Sequence, residues 1–597
     1  MTVWIAGITR GHNGAVCLLK DGKIVFAIEE ERLTRFKYDG TPLAAMTRIL
    51  EFTDRLDYLV VAHTSPLAAM GRMDWTGEDV YTSLARKLGL IKRHTDPNSP
   101  DPQVIDLSHM HHRLHAACAF YRSGFESAAG VIVDGAGTVY PAGDAAFWEV
   151  ESIFDCSYPA KFDTVFRHQA GNGPWPTTHL DEFSNTKEEP KFELLVDDSA
   201  GIVKAYEAVT KYCGWSEIEA GKTMGLFPYG QPNAEIPPIY VESAGSWVSA
   251  NRNLFIPSFP AGAHVNTGRY PVLDNSNQEL KNIGDVTLLQ NRRDLAYAVQ
   301  TQSQEEALKI IVKAVEKSGS NNVVFSGGYG LNCVANYYYL TRLNQLGINF
   351  YVEPISSDAG TSIGAALFVH HNVFDTQFAE PRAQSLYLGF EYNYSATDIA
   401  NIAAKYSAEV FATNNAEVVQ LLRDKNIVSV FQGRSESGPR ALGNRSILFD
   451  PTVENGKDFV NSVKHREYFR PFAGSILHEH AAEWFDLRGL EESPHMMYAV
   501  NCQPGYGERI PSIIHVDGTC RIQTVKREQN PLYYDLISEF HKVSGVPIVF
   551  NTSFNLGGEP LVETLDDAVR TLAQSQIEYL YLPEHQVLIA VKNQAGE

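Results

Sequence analysis

The chain has 597 residues, of which 44% are hydrophobic and 20% charged, and its formal net charge is −21. This composition is typical of a globular protein with about two to four domains, and the negative charge argues against broad nucleic-acid binding. Seven cysteines without a CxxC pair suit a reducing compartment better than a disulfide framework. Residues 1–7 resemble no signal peptide, and no apolar run reaches membrane-spanning length. We therefore expect a cytoplasmic enzyme with no membrane partner.

The predicted elements begin with two strands, Val3–Gly7 and Gly14–Leu19, joined by a turn that contains His12. Asp21-Gly22 is typical of a hairpin leading into a third strand at 24–28. A similar pattern returns at 129–138. We therefore expect the first domain to contain a duplicated half.

Glycine turns after strands indicate a nucleotide site. Glycines at such positions let backbone amides approach a phosphate or a ribose closely. Taken singly, each turn is most often an ordinary tight turn. The residues concerned are Asp134, Gly135, Gly327, Gly328 and Asn332.

A helix that begins near Ser108 is predicted to carry half of a metal site. Ser108 is a good N-cap, the following alanines favour a helix, and His111 and His115 then lie one turn apart on one face. Two imidazoles need an oxygen ligand from a distant segment, and we nominate Asp358. A lone HxxxH pair more often caps or packs than binds a metal. The remaining motifs favour the metal.

Two long stretches, 163–190 and 231–280, are rich in Pro, Asn, Ser and Gly and predict surface insertions. Their role is open. The segment 379–385 has the composition of an interdomain linker. We therefore expect a first domain at 1–378 and a second at 386–597.

The second domain contains three regions that suit an anion. The turn at 432–445 holds three arginines among glycines and a proline, and guanidinium groups match phosphate oxygens. More cations follow at 464–470, interleaved with aromatic residues. A buried strand then ends in the hydroxyl and amide side chains of 551–555, which can bind a neutral or phosphate ligand.

Together these segments resemble the O-carbamoyltransferase family, which modifies antibiotics such as tobramycin, cephamycins and novobiocin and includes nodulation-factor enzymes. The resemblance covers nearly the whole chain. The matching motifs are Glu29-Glu30-Glu31-Arg32 with Arg35 and Lys37, His111-His112 with His115, Gly221–Leu226, Gly327-Gly328 with Asn332-Cys333 and Asn336, Gly438–Gly443, Lys464 with Arg466, Phe469–Phe472, His515–Thr519 with Arg521, and Asn551–Asn555.

The resemblance implies an α/β fold. Its N-terminal domain would be a duplicated actin-like domain similar to the universal tRNA-threonylcarbamoyl transferase, and its C-terminal domain an α+β, YrdC-like domain. The C-terminal domain would make carbamoyl-adenylate from carbamoyl phosphate and ATP, with Mg²⁺ accompanying the ATP. The N-terminal domain, with its metal, would transfer the carbamoyl group to a hydroxyl. By resemblance the metal is Fe²⁺, and Zn²⁺ fits the same ligands.

The resemblance also assigns roles to residues. The metal ligands would be His111, His115 and Asp358, and the adenylate would be touched by Lys37 as well as by the glycine turns. The catalytic residues would be His12, Lys37 and Arg440. The carbamoyl phosphate site would comprise Arg440, Lys464, Arg466, Arg470, Arg521, Asn551, Ser553 and Asn555.

One departure from the family pattern lies beside the expected base. The family has a His-Asp-Ser-like run where this chain has His12-Asn13-Gly14. His12 keeps an imidazole suited to proton transfer near neutral pH, whereas the neighbouring carboxylate is absent. The acceptor itself is open: a natural-product hydroxyl, a sugar or a modified nucleobase would suit the same motifs.

Two other classes of function remain open from the residues alone. An actin-fold sugar or acyl kinase would explain the glycine turns but would leave Lys464, Arg466, Ser553 and Asn555 without a role. A non-catalytic nucleotide-binding assembly subunit would make the HxxxH pair a relic. The sequence leaves the oligomeric state open, and a homodimer is one possibility.

Overall fold

A computed structural model describes the chain from residue 2 to 591, except for the segments 66, 68–70, 74–75, 97–98, 143–144, 172–178, 181–186, 189–190, 198–200, 242–253, 257–262, 266–289 and 376–384. The chain divides into two compact units, the first formed by residues 1–25 and 40–383 and the second by 26–39 and 384–597. Most of the predicted linker, and much of both predicted insertions, lies outside the described residues. Both units mix helices and strands, so the chain is an α/β protein.

Elements are numbered along the whole chain. The strands up to residue 352 are β1 Trp4–Thr9, β2 Ala15–Lys20, β3 Lys23–Glu29, β4 Tyr58–Ala62, β5 Val104–Asp106, β6 Ser127–Val133, β7 Val139–Ala142, β8 Ala145–Ser157, β9 Lys161–Gly171, β10 His179–Leu180, β11 Lys187–Glu188, β12 Glu193–Asp197, β13 Leu254–Ile256, β14 Ala263–Val265, β15 Asn322–Ser326 and β16 Asn349–Val352. The helices up to residue 374 are α1 Glu30–Thr34, α2 Leu43–Thr47, α3 Val80–Lys87, α4 His111–Ser123, α5 Gly201–Tyr212, α6 Ala220–Leu226, α7 Gln290–Ser318, α8 Cys333–Gln345 and α9 Ala359–Phe374.

The first unit contains two sheets with related strand orders. One has the order β3-β2-β1-β4-β5, and the other contains β9-β8-β6-β15-β16, with β12 beyond β9 and β7 paired to β8. Among the five strands β3-β2-β1-β4-β5, and among the five strands β9-β8-β6-β15-β16, the first along the chain is antiparallel to the second and parallel to the fourth, as β1 is to β2 and β4, and β6 is to β8 and β15. The two sheets therefore repeat one arrangement.

Helices α9 and α4 form successive layers beside the first sheet. A side-chain carbon at Gly7 of β1 would lie 2.0 Å from the Ser362 carbonyl oxygen of α9, and one at Gly364 of α9 would lie 2.0 Å from the Leu114 carbonyl oxygen of α4. Only glycine allows backbones to approach so closely. The histidine-bearing helix is thereby fixed, with every residue of α4 buried.

The remaining strands are β17 Glu409–Ala412, β18 Val428–Phe431, β19 Arg445–Phe449, β20 Ala473–Leu477, β21 Phe485–Asp486, β22 Ala499–Cys502, β23 Thr519–Val525, β24 Ile548–Ser553, β25 Tyr579–Leu582 and β26 Val587–Ala590. The remaining helices are α10 Ala396–Lys405, α11 Asn415–Arg423, α12 Gly456–Val463, α13 Ala481–Trp484, α14 Pro531–Ser544 and α15 Leu565–Ala573. The second unit has one ten-stranded sheet, in the order β17-β26-β25-β18-β19-β24-β20-β23-β22-β21. No described helix combines the length and apolar character needed to cross a membrane.

Residues 26–39 pack with the second unit although they come early in the chain. Ala27 N donates to the Leu388 carbonyl (2.9 Å), and Gly438 N donates to Glu29 Oε1 (2.8 Å). Arg35 Nη2 donates to the Pro560 carbonyl (2.9 Å). Boundaries drawn from composition placed this segment in the first domain, because composition carries no information about contacts between residues so far apart in sequence.

Candidate functional site

The histidine helix begins at the carboxyl end of a parallel strand. Strand β5 ends at Asp106, a short 3-10 turn covers Ser108–Met110, and α4 begins at His111. Ser108 does not cap this helix, contrary to the prediction. Instead, the hydroxyl of Thr138 accepts the backbone N–H of His111 (3.1 Å) and donates to the Ser108 carbonyl (3.3 Å).

His111, His115, Asp134 and Asp358 each offer a ligand atom, and these four atoms lie within 4.8 Å of one another. The two Nε2 atoms are 3.2 Å apart. His111 Nε2 is 3.5 Å from an oxygen of each aspartate, and His115 Nε2 is 3.6 Å from Asp358 Oδ1. The three residues predicted as ligands are therefore brought together.

Asp134 was predicted as a nucleotide residue, and the structure places it in this cluster as well. Its Oδ2 faces His111, and its Oδ1 accepts the backbone N–H of Gly328 (2.8 Å). Sequence reasoning missed it as a fourth ligand candidate. The available signal was its position directly after β6, because the carboxyl ends of parallel strands gather polar groups.

The charges of this cluster fit a divalent cation. Burial opposes a charge on His111, but hydrogen bonds and attraction from Asp134 and Asp358 raise its pKa to about 10. Burial also opposes ionisation of the two aspartates, and the histidines nevertheless hold the pKa of each below its usual value. Two nitrogens and two carboxylates are ligands that suit Fe²⁺ or Zn²⁺.

His168 is a second buried histidine between carboxylates and gives a comparison. Its Nδ1 contacts Glu151 Oε2 (2.5 Å) and its Nε2 contacts Asp197 Oδ1 (2.9 Å), so both ring nitrogens have a carboxylate partner. In the four-residue cluster the two Nε2 atoms instead face each other, and within the part of the chain that the structure describes the Nδ1 atoms of His111 and His115 have no hydrogen-bond partner. A cation bound by both Nε2 atoms would explain why these two atoms face each other.

His12 reaches the edge of the same cluster. Its Nδ1 is 3.7 Å from Asp358 Oδ2, and its side chain is 48% exposed. It is therefore accessible to a substrate, as a base must be.

The predicted nucleotide residues occupy the neighbouring turns. Gly327 adopts a φ of +87° where it passes the Val133 carbonyl, and Gly328 donates to Asp134. The Asn332 side chain is engaged locally, because it accepts from Ala335 N (3.1 Å) and donates to Gln300 (3.0 Å). A side-chain carbon at Gly135 would lie 2.7 Å from Glu207 Oε1.

The second unit holds a cluster of cations. Burial lowers the pKa of Lys464 and of Arg466, and the neighbouring cations Arg466, Arg470 and Arg521 lower them further. Arg470 has one weak ion pair, with Glu467 at 3.5 Å. Cations that repel one another in a buried place are stabilised by an anion.

Polar side chains surround these cations at the centre of the sheet. Asn551 of β24 and Arg521 of β23 are both paired to Ala473 of β20, so the three residues form one row. Lys464 Nζ donates to the Ser553 carbonyl and lies 3.4 Å from Asn555 Oδ1. The residues predicted for carbamoyl phosphate thus lie on neighbouring strands and loops.

Two of the three arginines in the 432–445 turn donate to backbone carbonyls. Arg434 donates to the carbonyls of Leu388 (3.0 Å) and Gly389 (2.8 Å). Arg445 is fully buried and donates to the Gln432 carbonyl (2.6 Å). Of the three arginines of this turn that were predicted to bind an anion, Arg440 is therefore the candidate we keep.

Lys37 belongs to the second unit, whereas the sequence placed it in the same half as His12. Its ammonium group forms an ion pair with Glu31 (2.8 Å). Burial works against ionisation of Glu31, but Lys37 and Arg32 lower the pKa of Glu31 overall. Lys37 is thus held in place by its own segment.

Two family models match this chain. The carbamoyltransferase N-terminus matches residues 71–367, and the carbamoyltransferase C-terminus matches 419–588. The chain belongs to the carbamoyltransferase family and is a transferase, which confirms the resemblance stated from its motifs.

Curated relatives extend over most of the chain. Nodulation protein NolNO of Sinorhizobium fredii is 29% identical over 95% of this chain and 78% of its own length. Nodulation protein NolO of Bradyrhizobium diazoefficiens is 30% identical over 79% of this chain and 77% of its own. The uncharacterized protein sll1178 of Synechocystis is 29% identical over 96% of this chain and 94% of its own.

Two solved structures are distantly similar to this chain. Full-length HypF in a phosphate- and nucleotide-bound form matches with a TM-score of 0.34 and 13% identity, over 63% of this chain and 56% of that one. A ROK family protein from Streptococcus pneumoniae in complex with sucrose matches with a TM-score of 0.28 and 8% identity, over 62% and 99%. Scores this low support no argument about the fold or its ligands.

Proposed function

We propose that this protein is an ATP-dependent O-carbamoyltransferase that works through carbamoyl-adenylate. The observation that carries the proposal is that one carbamoyltransferase chain holds two clusters of opposite charge. The first unit gathers carboxylates and imidazoles suited to a cation, and the second gathers buried cations suited to an anion. A kinase would use neither Lys464 nor Arg466.

The cation cluster would bind the phosphate and carboxylate oxygens of the molecules that react in the step that forms carbamoyl-adenylate. Carbamoyl phosphate, ATP and one water give carbamoyl-adenylate, phosphate and pyrophosphate. Arg440, Arg466 and Arg470 would neutralise the anions, since guanidinium groups bind such oxygens strongly. Ser553 and Asn555, joined by a 2.6 Å hydrogen bond, would hold the small polar end of the carbamoyl group.

Transfer would take place beside His12. The acceptor oxygen attacks the carbamoyl carbon, its proton passes to the His12 imidazole, and AMP leaves with the electron pair of the broken C–O bond. His111, His115 and Asp358, with Asp134, would hold the metal, which supplies Lewis-acid stabilisation of oxygen when bound. Iron is the metal that the family resemblance implies, and zinc fits the same ligands.

The repeated strand order of the first unit supports an actin-like domain. The row of Asn551, Ala473 and Arg521 supports a YrdC-like anion site on the sheet of the second. Both fold assignments are part of the proposal.

The proposal is tested by incubating the protein with labelled carbamoyl phosphate, ATP and a metabolite extract, and then identifying the labelled product. We expect a carbamate ester together with stoichiometric AMP and pyrophosphate. ADP as the nucleotide product would indicate a kinase instead. Turnover of neither ATP nor carbamoyl phosphate, with or without added Fe²⁺ or Zn²⁺, would contradict the proposal.

A further inference from the structure

Two turns lie side by side at one edge of the first sheet, one after β1 and the other after β4. Strands β1 and β4 are parallel neighbours, with Thr9 paired to Ala62. The next residues along each strand are therefore adjacent at the carboxyl edge, where α/β proteins bind ligands. On β1 this leads to His12, and on β4 it leads directly to His63.

The second turn is held in a fixed shape. Arg10 Nη2 donates to the Ser65 carbonyl (2.9 Å), and Ser65 N donates to His63 Nδ1 (3.0 Å). A ring nitrogen that accepts a backbone N–H cannot itself carry a proton. The His63 ring is therefore neutral, and its proton lies on Nε2.

The surroundings of the ring favour the same protonation state. Burial, the Arg10 cation and His111 outweigh the opposing effects of Asp358 and the Ser65 backbone contact, and lower the pKa of His63 to about 4. His63 is thus a hydrogen-bond donor that cannot act as a base. This separates its chemistry from that of His12.

The Nε2–H group borders the space beside the metal cluster. Gly11 has a φ of +121°, and a side-chain carbon there would lie 3.8 Å from His63 Nε2 and 3.7 Å from Asp358 Oδ2. Because Gly11 has no side chain, this space is left for another group. His63 Nε2 has no hydrogen-bond partner among the residues that the structure describes, and the ring is half-buried.

We propose that His63 is a further catalytic residue of carbamoyl transfer, donating its Nε2–H to the carbonyl oxygen of the carbamoyl group. As the acceptor oxygen bonds to the carbamoyl carbon, negative charge develops on that carbonyl oxygen and then returns as the bond to AMP breaks. His63 neither gains nor loses a proton, while His12 takes the proton of the acceptor. The inference rests on the proposed function.

A neutral imidazole is well suited to this role. A lowered pKa keeps the ring uncharged, and a neutral ring can polarise a carbonyl by hydrogen bonding. A preorganised donor of this kind typically contributes about 10²–10³ in rate.

The first test uses water as the acceptor, so that no natural acceptor is needed. Glutamine places an N–H close to the position of Nε2, whereas asparagine reaches only the position of Nδ1. We expect His63→Asn to slow AMP release about 10²–10³-fold and His63→Gln to retain the rate within about tenfold. Pyrophosphate release in the first turnover and metal content should stay unchanged in both. His94→Gln, which alters a histidine that contacts Ser99 at the surface, is the control.

The second test reads the tautomer directly. In protein labelled with ¹⁵N-histidine, the His63 signals, assigned by their loss in His63→Gln, should show a protonated Nε2 and a bare Nδ1 at pH 7. A wild-type rate in His63→Asn, or a proton on Nδ1, would overturn the inference while leaving the proposed function intact. If the wild-type protein releases neither pyrophosphate nor AMP from carbamoyl phosphate and ATP, the proposed function itself fails.

Discussion

The two charge clusters are built on opposite principles. In the first unit, His111 and His115 face two carboxylates that favour a cation. In the second unit, Lys464 and Arg466 are buried beside further cations that lower the pKa of each. His168 differs from both clusters, because each of its ring nitrogens contacts a carboxylate, one of Glu151 and the other of Asp197. A buried cluster that lacks its counter-charge indicates the ligand that supplies it.

The largest expected effect comes from removing a metal ligand. His115→Ala should lose both the bound divalent metal and the carbamoyl transfer step, because the site loses one of two nitrogen ligands. Metal content measured by mass spectrometry and the rate of AMP release check this. His94→Ala should keep both. Full metal occupancy in a His111→Ala, His115→Ala double variant would refute the assignment.

Removing the expected base should have the next largest effect. His12→Ala or His12→Asn should slow transfer by about two to four orders of magnitude, since the acceptor loses its proton acceptor. Pyrophosphate release and metal content should be unchanged, and carbamoyl-adenylate should accumulate or hydrolyse. Transfer at the parent rate with an unchanged pH profile would end the general-base proposal.

Anion binding should produce a smaller effect, on stability. Pyrophosphate at saturating concentration should raise the unfolding midpoint by about 2–4 °C, because the anion relieves repulsion around Arg466. Arg466→Met should abolish this shift while leaving the ligand-free protein no less stable, since a buried cation without a counter-charge is removed. Arg527→Met, at a side chain 60% exposed and paired with Asp535, should keep the shift. An equal shift in both variants would place the anion elsewhere.

The smallest expected effect is a pH dependence of stability that reports on His168, whose two ring nitrogens both contact carboxylates. Burial opposes a charge on His168, but Glu151 and Asp197 raise its pKa to about 10, above the value of about 6.5 in the unfolded chain. Its stabilisation is therefore complete below about pH 6.5 and is lost as the pH rises to about 10. Between pH 7 and 9.5, the free energy of unfolding measured in urea should fall more steeply with pH for the wild type than for His168→Gln. The difference between the two slopes should correspond to up to about one bound proton. Parallel slopes would contradict the ion triad.

Local patterns predicted the parts of the site that lie on single elements. The i, i+4 spacing of His111 and His115 fixes their common face on α4, and the carbamoyltransferase motifs identified the family. The N-cap failed at Ser108, because Thr138 from a separate turn takes over the contacts at the helix start.

Tertiary contacts determine the parts that sequence reasoning missed. Asp134 joins His111, His115 and Asp358 because β6 is a parallel neighbour of β15, which brings Gly328 to its other oxygen. Arg434 donates to the Leu388 carbonyl, 46 residues away along the chain, and Arg445 donates to the Gln432 carbonyl across its own turn. The spacing of residues along the sequence does not predict contacts between distant segments. For the same reason it did not predict the position of His63.

The central claim is that activation and transfer use different clusters, and Arg440→Ala tests it most directly. This variant should lose pyrophosphate release from ATP and carbamoyl phosphate by about 10²–10³-fold, because the anion loses a guanidinium partner. When carbamoyl-adenylate is supplied, the variant should transfer its carbamoyl group at close to the wild-type rate. Equal loss of both half-reactions in a well-folded Arg440→Ala protein would contradict the claim.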